Sequence, residues 1–285
     1  MSDRPLKKTG LCLVADPDCP TTPTYLVYLE AAGYEAPEIW VCEFASGGKL
    51  DRIARHAGLD WALRIQRLER LWNRRGGAAD WRERMEADMP VRTGTREART
   101  RIQWLLAHAR RVRGTGWKDP QVIRAFTDSE QKHFLFSAGG IVSRDVLSVP
   151  GLRMLHLHPG VLPQVRGTDG LLWSLKLRGR PGVTAFWMDP GIDTGRILHR
   201  KEFQPPRFAS GNRPHRHADW RRMDEALLCH YDPHLRGHTL IELLEKKGAQ
   251  EWDRLASEEQ RREDGTGYRR MPGPERQAIL ASLFA

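Results

Sequence analysis

The chain has no apolar run approaching the roughly 20 residues that a membrane-spanning helix needs. Its four cysteines, Cys12, Cys19, Cys42 and Cys229, contain no C-x-x-C pair, which removes the common structural zinc frameworks and a thioredoxin-type redox motif. Cys12 and Cys42 fall in apolar strand-like runs, so reduced thiols and a cytoplasmic setting are expected. No G-x-G-x-x-G follows the first apolar run, so a dinucleotide site has no support. H-E-x-x-H motifs, internal repeats and low-complexity tracts are also missing. Acidic residues are outnumbered: 46 Lys and Arg face 36 Asp and Glu, for a net charge of +10. That balance admits a nucleic-acid partner, although arginine-rich helical faces are more often solvated surface, and an anionic small substrate suits a positive mouth as well. The basic start, MSDRPLKKTGLCLVADPD, has only a short apolar run and reads as a leader into the first strand rather than a signal peptide.

What is present is an α/β alternation. Leu11–Asp16 (LCLVAD) reads as a short strand, TYLVYLEAAG as a helix and EIWVCEF as a second buried strand, a β-α-β opening of the doubly wound kind. From about residue 49 to 113 the pattern is helical and rich in Arg, Trp and Leu, with breaks at GGAAD and MPVRTGT. Its Trp61, Trp72, Trp81 and Trp104 fit core-facing positions of amphipathic helices better than an aromatic, basic nucleic-acid surface. His133–Gly140 (HFLFSAGG) is a strand that runs into glycines, where backbone can approach a flat ligand closely. After Phe203 a Pro/Gly/His-rich connection leads into helix-compatible stretches, including MDEALLCHYDPHLRGHTLIELLEKKG and DRLASEEQRRED.

The most informative segment is Leu155–Leu198, LHLHPGVLPQVRGTDGLLWSLKLRGRPGVTAFWMDPGIDTGRIL. Strand alternation puts His156 and His158 on one face of MLHLH and Leu155 and Leu157 on the other. A second apolar run, GVTAFWMD, breaks into the turn PGIDTG carrying Asp193. Two imidazoles and a carboxylate are thereby expected at the ends of neighbouring strands, the usual place for chemistry in an open α/β sheet.

HLHPGVLPQVRG and MDPGIDTGRIL resemble the core signature of the folate-dependent formyltransferases, N-x-H-P-S-L-L-P-x-x-x-G followed by a D-x-G or D-T-G turn. The resemblance is specific over Phe134–Phe203, and the tail GTGYRRMP is similar to C-terminal regions of some amino-sugar formyltransferases. His156 stands where the family has asparagine, and Gly160 where it has serine. The resemblance implies 10-formyltetrahydrofolate as co-substrate and His156, His158 and Asp193 as the catalytic set. An imidazole N–H of His156 can serve an oxyanion as an amide N–H does, and Asp193 is expected to orient His158 and raise its pKa. The implied folate site is backbone at Gly140, Ile141 and Val142 and the Asp189–Asp193 turn, with apolar walls from Leu147, Met154 and Leu162.

The expected architecture is therefore α/β: a formyltransferase-type doubly wound sheet over 1–204 with a helical insertion at about 49–113, and a mainly helical C-terminal extension over 205–285. The implied function is N-formyl transfer to an amine of a small metabolite, such as an amino sugar or a natural-product intermediate. Alternatives are a 10-formyltetrahydrofolate hydrolase, a methionyl-tRNA formyltransferase, or a non-catalytic folate-, ligand- or RNA-binding protein with an altered site. No metal site is expected. His215, His217, Cys229, His230, His234 and His238 permit one by spacing, but Pro233 is read as interrupting the helix between them.

Overall fold

The computed structural model describes residues 5–16, 19–45, 48–73, 79–87, 89–247 and 252–284. Its strands are β1 (Cys12–Ala15), β2 (Ile39–Phe44), β3 (Arg110–Gly114), β4 (His133–Ser137), β5 (Arg153–His158), β6 (Val165–Gly167), β7 (Gly182–Trp187), β8 (Ile197–Glu202) and β9 (Thr266–Tyr268). Seven of them form one sheet in the order β3-β2-β1-β4-β5-β7-β8, and β6 pairs with β9 in a separate two-stranded sheet. Strands β3 to β5 run parallel along that order, whereas β7 and β8 are antiparallel to their neighbours. The order reverses at the β1/β4 boundary, so a cleft is expected at the carboxyl ends of these strands.

Helices α1 (Thr21–Ala31), α2 (Gly48–Ala57), α3 (Leu59–Asn73), α4 (Ala79–Glu86) and α5 (Arg96–Ala107) precede β3. Then come α6 (Pro120–Thr127), α7 (Arg144–Leu147), α8 (Gly170–Arg178), α9 (His217–Ala226), α10 (Asp232–Lys247) and α11 (Gly273–Ala281). The expected insertion is helical over α2–α5, but its last residues are the edge strand β3. Val112 and Gly114 are buried there while Arg110, Arg111 and Arg113 stay at the surface. Arg111 and Arg113 both bond Glu43 on β2, at 3.2 and 2.9 Å, so an arginine-rich run can be a strand because the guanidinium heads reach outward past the sheet.

The tryptophans of the insertion divide. Trp81 is buried against Phe208 and Phe284, but Trp61 and Trp104 are about half exposed, correcting the core-facing expectation for those two. Trp104 carries His108 and Arg101 against its ring instead. The side chain of Trp72 and the GGA part of the predicted break lie outside the described residues.

Two further corrections concern the C-terminal half. Pro233 does not interrupt the helix: it sits in the first turn of α10, where no backbone N–H is needed. A π-helical turn, Leu227–Tyr231, joins α9 to α10 and lets the Asp232 N–H reach back to the Leu227 carbonyl. DRLASEEQRRED is not a helix but two short 3-10 turns joined by an extended stretch. That stretch bridges to β8 through paired Ile197 and Glu258 backbone groups, both bonds 2.8 Å.

Candidate active site

Strand β5 separates its side chains as alternation requires. Leu155 and Leu157 are fully buried in the broad core that includes α1 and α10. Met154 packs on the opposite face among the aromatic residues, and His156 and His158 share that face. β4 pairs with β5 only as far as His156, whereas β7 pairs out to His158, so the second histidine projects past β4 at the carboxyl edge.

His158 is 2% exposed and both of its ring nitrogens have neighbours. Nε2 donates to the Val165 carbonyl at 2.9 Å, and a carbonyl can only accept, so that nitrogen carries a proton. Nδ1 faces Asp193 Oδ2 at 3.4 Å. Asp193 adopts φ +54°, and the same Oδ2 accepts from the Gly167 N–H at 2.7 Å. The three residues of β6 therefore hold both partners, one end gripping the histidine and the other the carboxylate. A Cβ on Gly160 would come within 2.7 Å of His158 Nε2 and 2.8 Å of the Val165 carbonyl oxygen, which explains glycine in place of the family serine here.

The structure thus brings together His156, His158 and Asp193: one nitrogen or oxygen from each lies within 4.8 Å of the others. Burial lowers the pKa of His158, and Asp193, which opposes this, does not overcome it. The expected rise is therefore corrected to a fall. His156 is held well below the usual histidine range by burial, by the Arg236 cation and by His158, and its Nδ1 is buried without a hydrogen-bond partner among the described residues. Neutral rings are favoured at both positions.

The residues assigned to folate do not form one group. Val142, Leu147 and Met154 pack together in the aromatic core, whereas Leu162 sits in a separate cluster with Phe186 and Ile197. Met188 touches both clusters, and Met154 and Leu162 are fully buried. Gly140 and Ile141 lie on the exposed loop after β4, which is fixed from below by Trp117: its indole N–H donates to the Gly139 carbonyl at 3.1 Å, and Ser143 Oγ donates to its carbonyl at 2.7 Å. Asp189 organises the turn that carries Asp193, its Oδ1 accepting from Gly191 N at 3.1 Å and Thr194 Oγ1 at 2.7 Å.

Several supporting residues escaped sequence reasoning. Buried Thr184 pins the loop after β5, donating to the Gly160 carbonyl at 2.7 Å and accepting from Leu162 N at 3.0 Å. Arg236 on α10, paired with Asp232, sets the charge near both histidines; the one signal in sequence was its i,i+4 carboxylate. Strand β9 fastens β6, and Thr168 N–H donates to the Tyr268 carbonyl at 3.0 Å. The five histidines and one cysteine of 215–238 do not converge: among the described residues the one group of three with metal-ligand spacing is His156, His158 and Asp193.

An open α/β sheet with an imidazole–carboxylate pair at a strand end defines a site suited to group transfer with proton management. Residues 94–204 match the formyl transferase family. It is 36% identical over 94 residues to the methionyl-tRNA formyltransferase of Syntrophus aciditrophicus (strain SB), covering 32% of this chain and 30% of that protein. It is 43% identical over 61 residues to the methionyl-tRNA formyltransferase of Methylacidiphilum infernorum (isolate V4), covering 21% and 19%. The matches span less than a third of either relative's length. A sugar N-formyltransferase from Shewanella sp FDAARGOS_354 aligns over 97% of this chain and 87% of its own, with a TM-score of 0.47 and 13% identity.

Proposed function

We propose that the protein is an N-formyltransferase that moves the formyl group of 10-formyltetrahydrofolate to an amine of a small metabolite. The observation that carries this reading is the buried His158–Asp193 contact of 3.4 Å, with His156 on the same strand face in the position of the family asparagine. The acceptor amine attacks the formyl carbon, a new C–N bond forms and the carbonyl oxygen becomes an oxyanion. His156 occupies the oxyanion side of the centre. The Asp193–His158 pair takes the amine proton, and the proton leaves with N10 of tetrahydrofolate as its bond to the formyl carbon breaks.

The folate lies along the loop carrying Gly140, Ile141 and Val142 and along the Asp189–Asp193 turn. Both loops end in a large exposed apolar side chain, Ile141 and Ile192, and a flat pterin covers such residues while main-chain groups meet its donor–acceptor edge. Leu147, Met154 and Leu162 back this surface from the cores beneath.

The test is a mass-spectrometric assay of the purified protein with 10-formyltetrahydrofolate and a panel of amino-sugar nucleotides and other primary amines. Formylated product from the wild type, abolished in Asp193→Asn, is expected. Release of formate without any formylated amine would favour the hydrolase, and no consumption of the donor would make this a binding protein.

A further inference from the structure

The His156–His158–Asp193 group presents a problem of proton count. His158 Nε2 carries the proton that it donates to the Val165 carbonyl. In a neutral ring Nδ1 then bears a lone pair, and that lone pair points at a carboxylate oxygen 3.4 Å away. Two acceptors face each other, and a ring nitrogen of His156 lies within 4.8 Å of both. Two imidazoles and a carboxylate that converge in this way form a ligand set.

We propose that His156, His158 and Asp193 bind one divalent cation of the zinc class, and that this ion faces the formyl oxygen where the family's asparagine amide does. The donors are two imidazoles and one carboxylate, a set found in catalytic zinc sites with a fourth position left for water or substrate. Ligand bonds of about 2.0–2.1 Å at a tetrahedral ion put neighbouring ligand atoms roughly 3.3 Å apart, which the His158–Asp193 spacing already matches. A ligand nitrogen of His156 lies within 4.8 Å of both. The outer contacts are those a metal site uses: the Val165 carbonyl orients His158 through its far nitrogen, and the Gly167 N–H fixes the carboxylate. Arg236 is the opposing charge, but both oxygens of Asp232 bind it, which leaves that pair neutral.

Binding stands independently of the formyl-transfer reading, and only the ion's task rests on it. The ion would act as a Lewis acid on the developing oxyanion; in the loaded site His156 is a ligand rather than an N–H donor, and the amine proton, which His158 and Asp193 do not take while they hold the ion, passes through solvent to N10 of tetrahydrofolate as its bond to the formyl carbon breaks. This departs from the expectation of a metal-free centre, and replacement of asparagine by histidine is the change that turns a hydrogen-bonding pair into three ligands.

Untagged, chelator-treated protein titrated with Co2+ and then Zn2+ tests the site. One equivalent should bind, with the visible bands of four- or five-coordinate cobalt and no cobalt–thiolate absorption. Roughly 100-fold weaker binding is expected in His156→Asn and Asp193→Asn, with no change in the His215→Ala/His217→Ala double variant. Absence of tight wild-type binding, or the same spectrum in Asp193→Asn, would overturn the proposal, as would an NMR signature of a doubly protonated His158 in the metal-free protein at neutral pH. His156→Asn restores the family pattern and should transfer formyl with or without chelator, whereas the wild type should be inhibited by chelator and rescued by zinc. Wild-type transfer at full rate in chelator sinks the ion's task. Metal binding without transfer in any variant sinks the formyl-transfer reading and leaves the site standing.

Discussion

The two faces of the sheet are closed by very different stretches of chain. One face is an aromatic cluster whose buried members all lie between Cys12 and Met154, in which Trp40, Phe126 and Phe134 pack with ring centroids 5.2 Å apart. The other gathers Leu13, Leu155 and Leu157 with Leu235, Leu240, Leu243, Leu244, Leu280 and Leu283, so it is complete only when the last third of the chain has wrapped around. The site belongs to neither core. It sits at the strand ends, held by β6, and β6 is held in turn by β9 a hundred residues later. One face is local and self-sufficient, whereas the other face and the site depend on remote segments.

Asp193→Asn should separate the site from both faces most sharply. An amide keeps the acceptor for Gly167 N–H but removes the charge facing His158, and turnover should fall on the order of a thousandfold or more. The thermal midpoint should stay within a degree or two of the wild type; a large drop would mean that Asp193 is structural. Next in size, Phe134→Ala should cost about 3–5 kcal/mol and Leu243→Ala about 2–5 kcal/mol in denaturant unfolding. The comparison predicts different signatures. Phe134→Ala should lower stability as one cooperative unit, while Leu243→Ala should raise hydrogen exchange first in α10 and β9. Equal protection losses across the molecule in both variants would erase the distinction between the faces.

Arg276→Met probes the wrap itself. Its guanidinium bonds Asp169 and, at 2.8 Å, Asp224, and these side chains are 10–18% exposed. Its loss leaves two part-buried carboxylates facing each other, at a cost of about 3 kcal/mol; a change below about 0.5 kcal/mol would show that the clasp is held by backbone pairing alone. The smallest effect is on acid stability. His156, His158, His199 and His238 have lowered pKa values, and His230 is lowered to about 4, burial being the leading cause in each. Unfolded histidines take up protons near 6.5 and the folded ones only at lower pH, so below about 6.5 the unfolded state binds more protons and stability declines. His230→Gln should flatten that decline between pH 6.5 and 4, and an unchanged melting profile over this range would refute the assignment.

The local face was the legible one. Leu11–Asp16, EIWVCEF, HFLFSAGG and MLHLH each announce a strand through apolar runs bounded by turn residues, and all four are strands within a few residues of their expected limits. The convergence of His156, His158 and Asp193 followed from alternation on one strand and a turn after the next. β6 and β9 were illegible because three residues carry no periodicity, and their pairing spans a hundred positions. β3 was misread because its arginines mimic a solvated helix face. In DRLASEEQRRED, helix-forming composition was overridden by tertiary bonds: Arg196, just before β8, and Arg200 on β8 bind Ser257, Glu258 and Glu259 and keep the stretch extended.

The clasp between β9 and β6 also sets a schedule for synthesis. A Cβ at Gly265 would lie 1.5 Å from the Pro163 carbonyl oxygen, so the strand enters against the catalytic loop with no space to spare. Tyr268 is translated 75 residues after Asp193. At roughly 5–20 residues per second, that leaves an interval of about 4–15 s on the ribosome. Throughout it the aromatic face can already have formed, while the loop that carries Val165 and Gly167 has no β9 to pair with. The nascent chain is therefore a folded scaffold in which the loop beside His158 and Asp193 is not yet clasped.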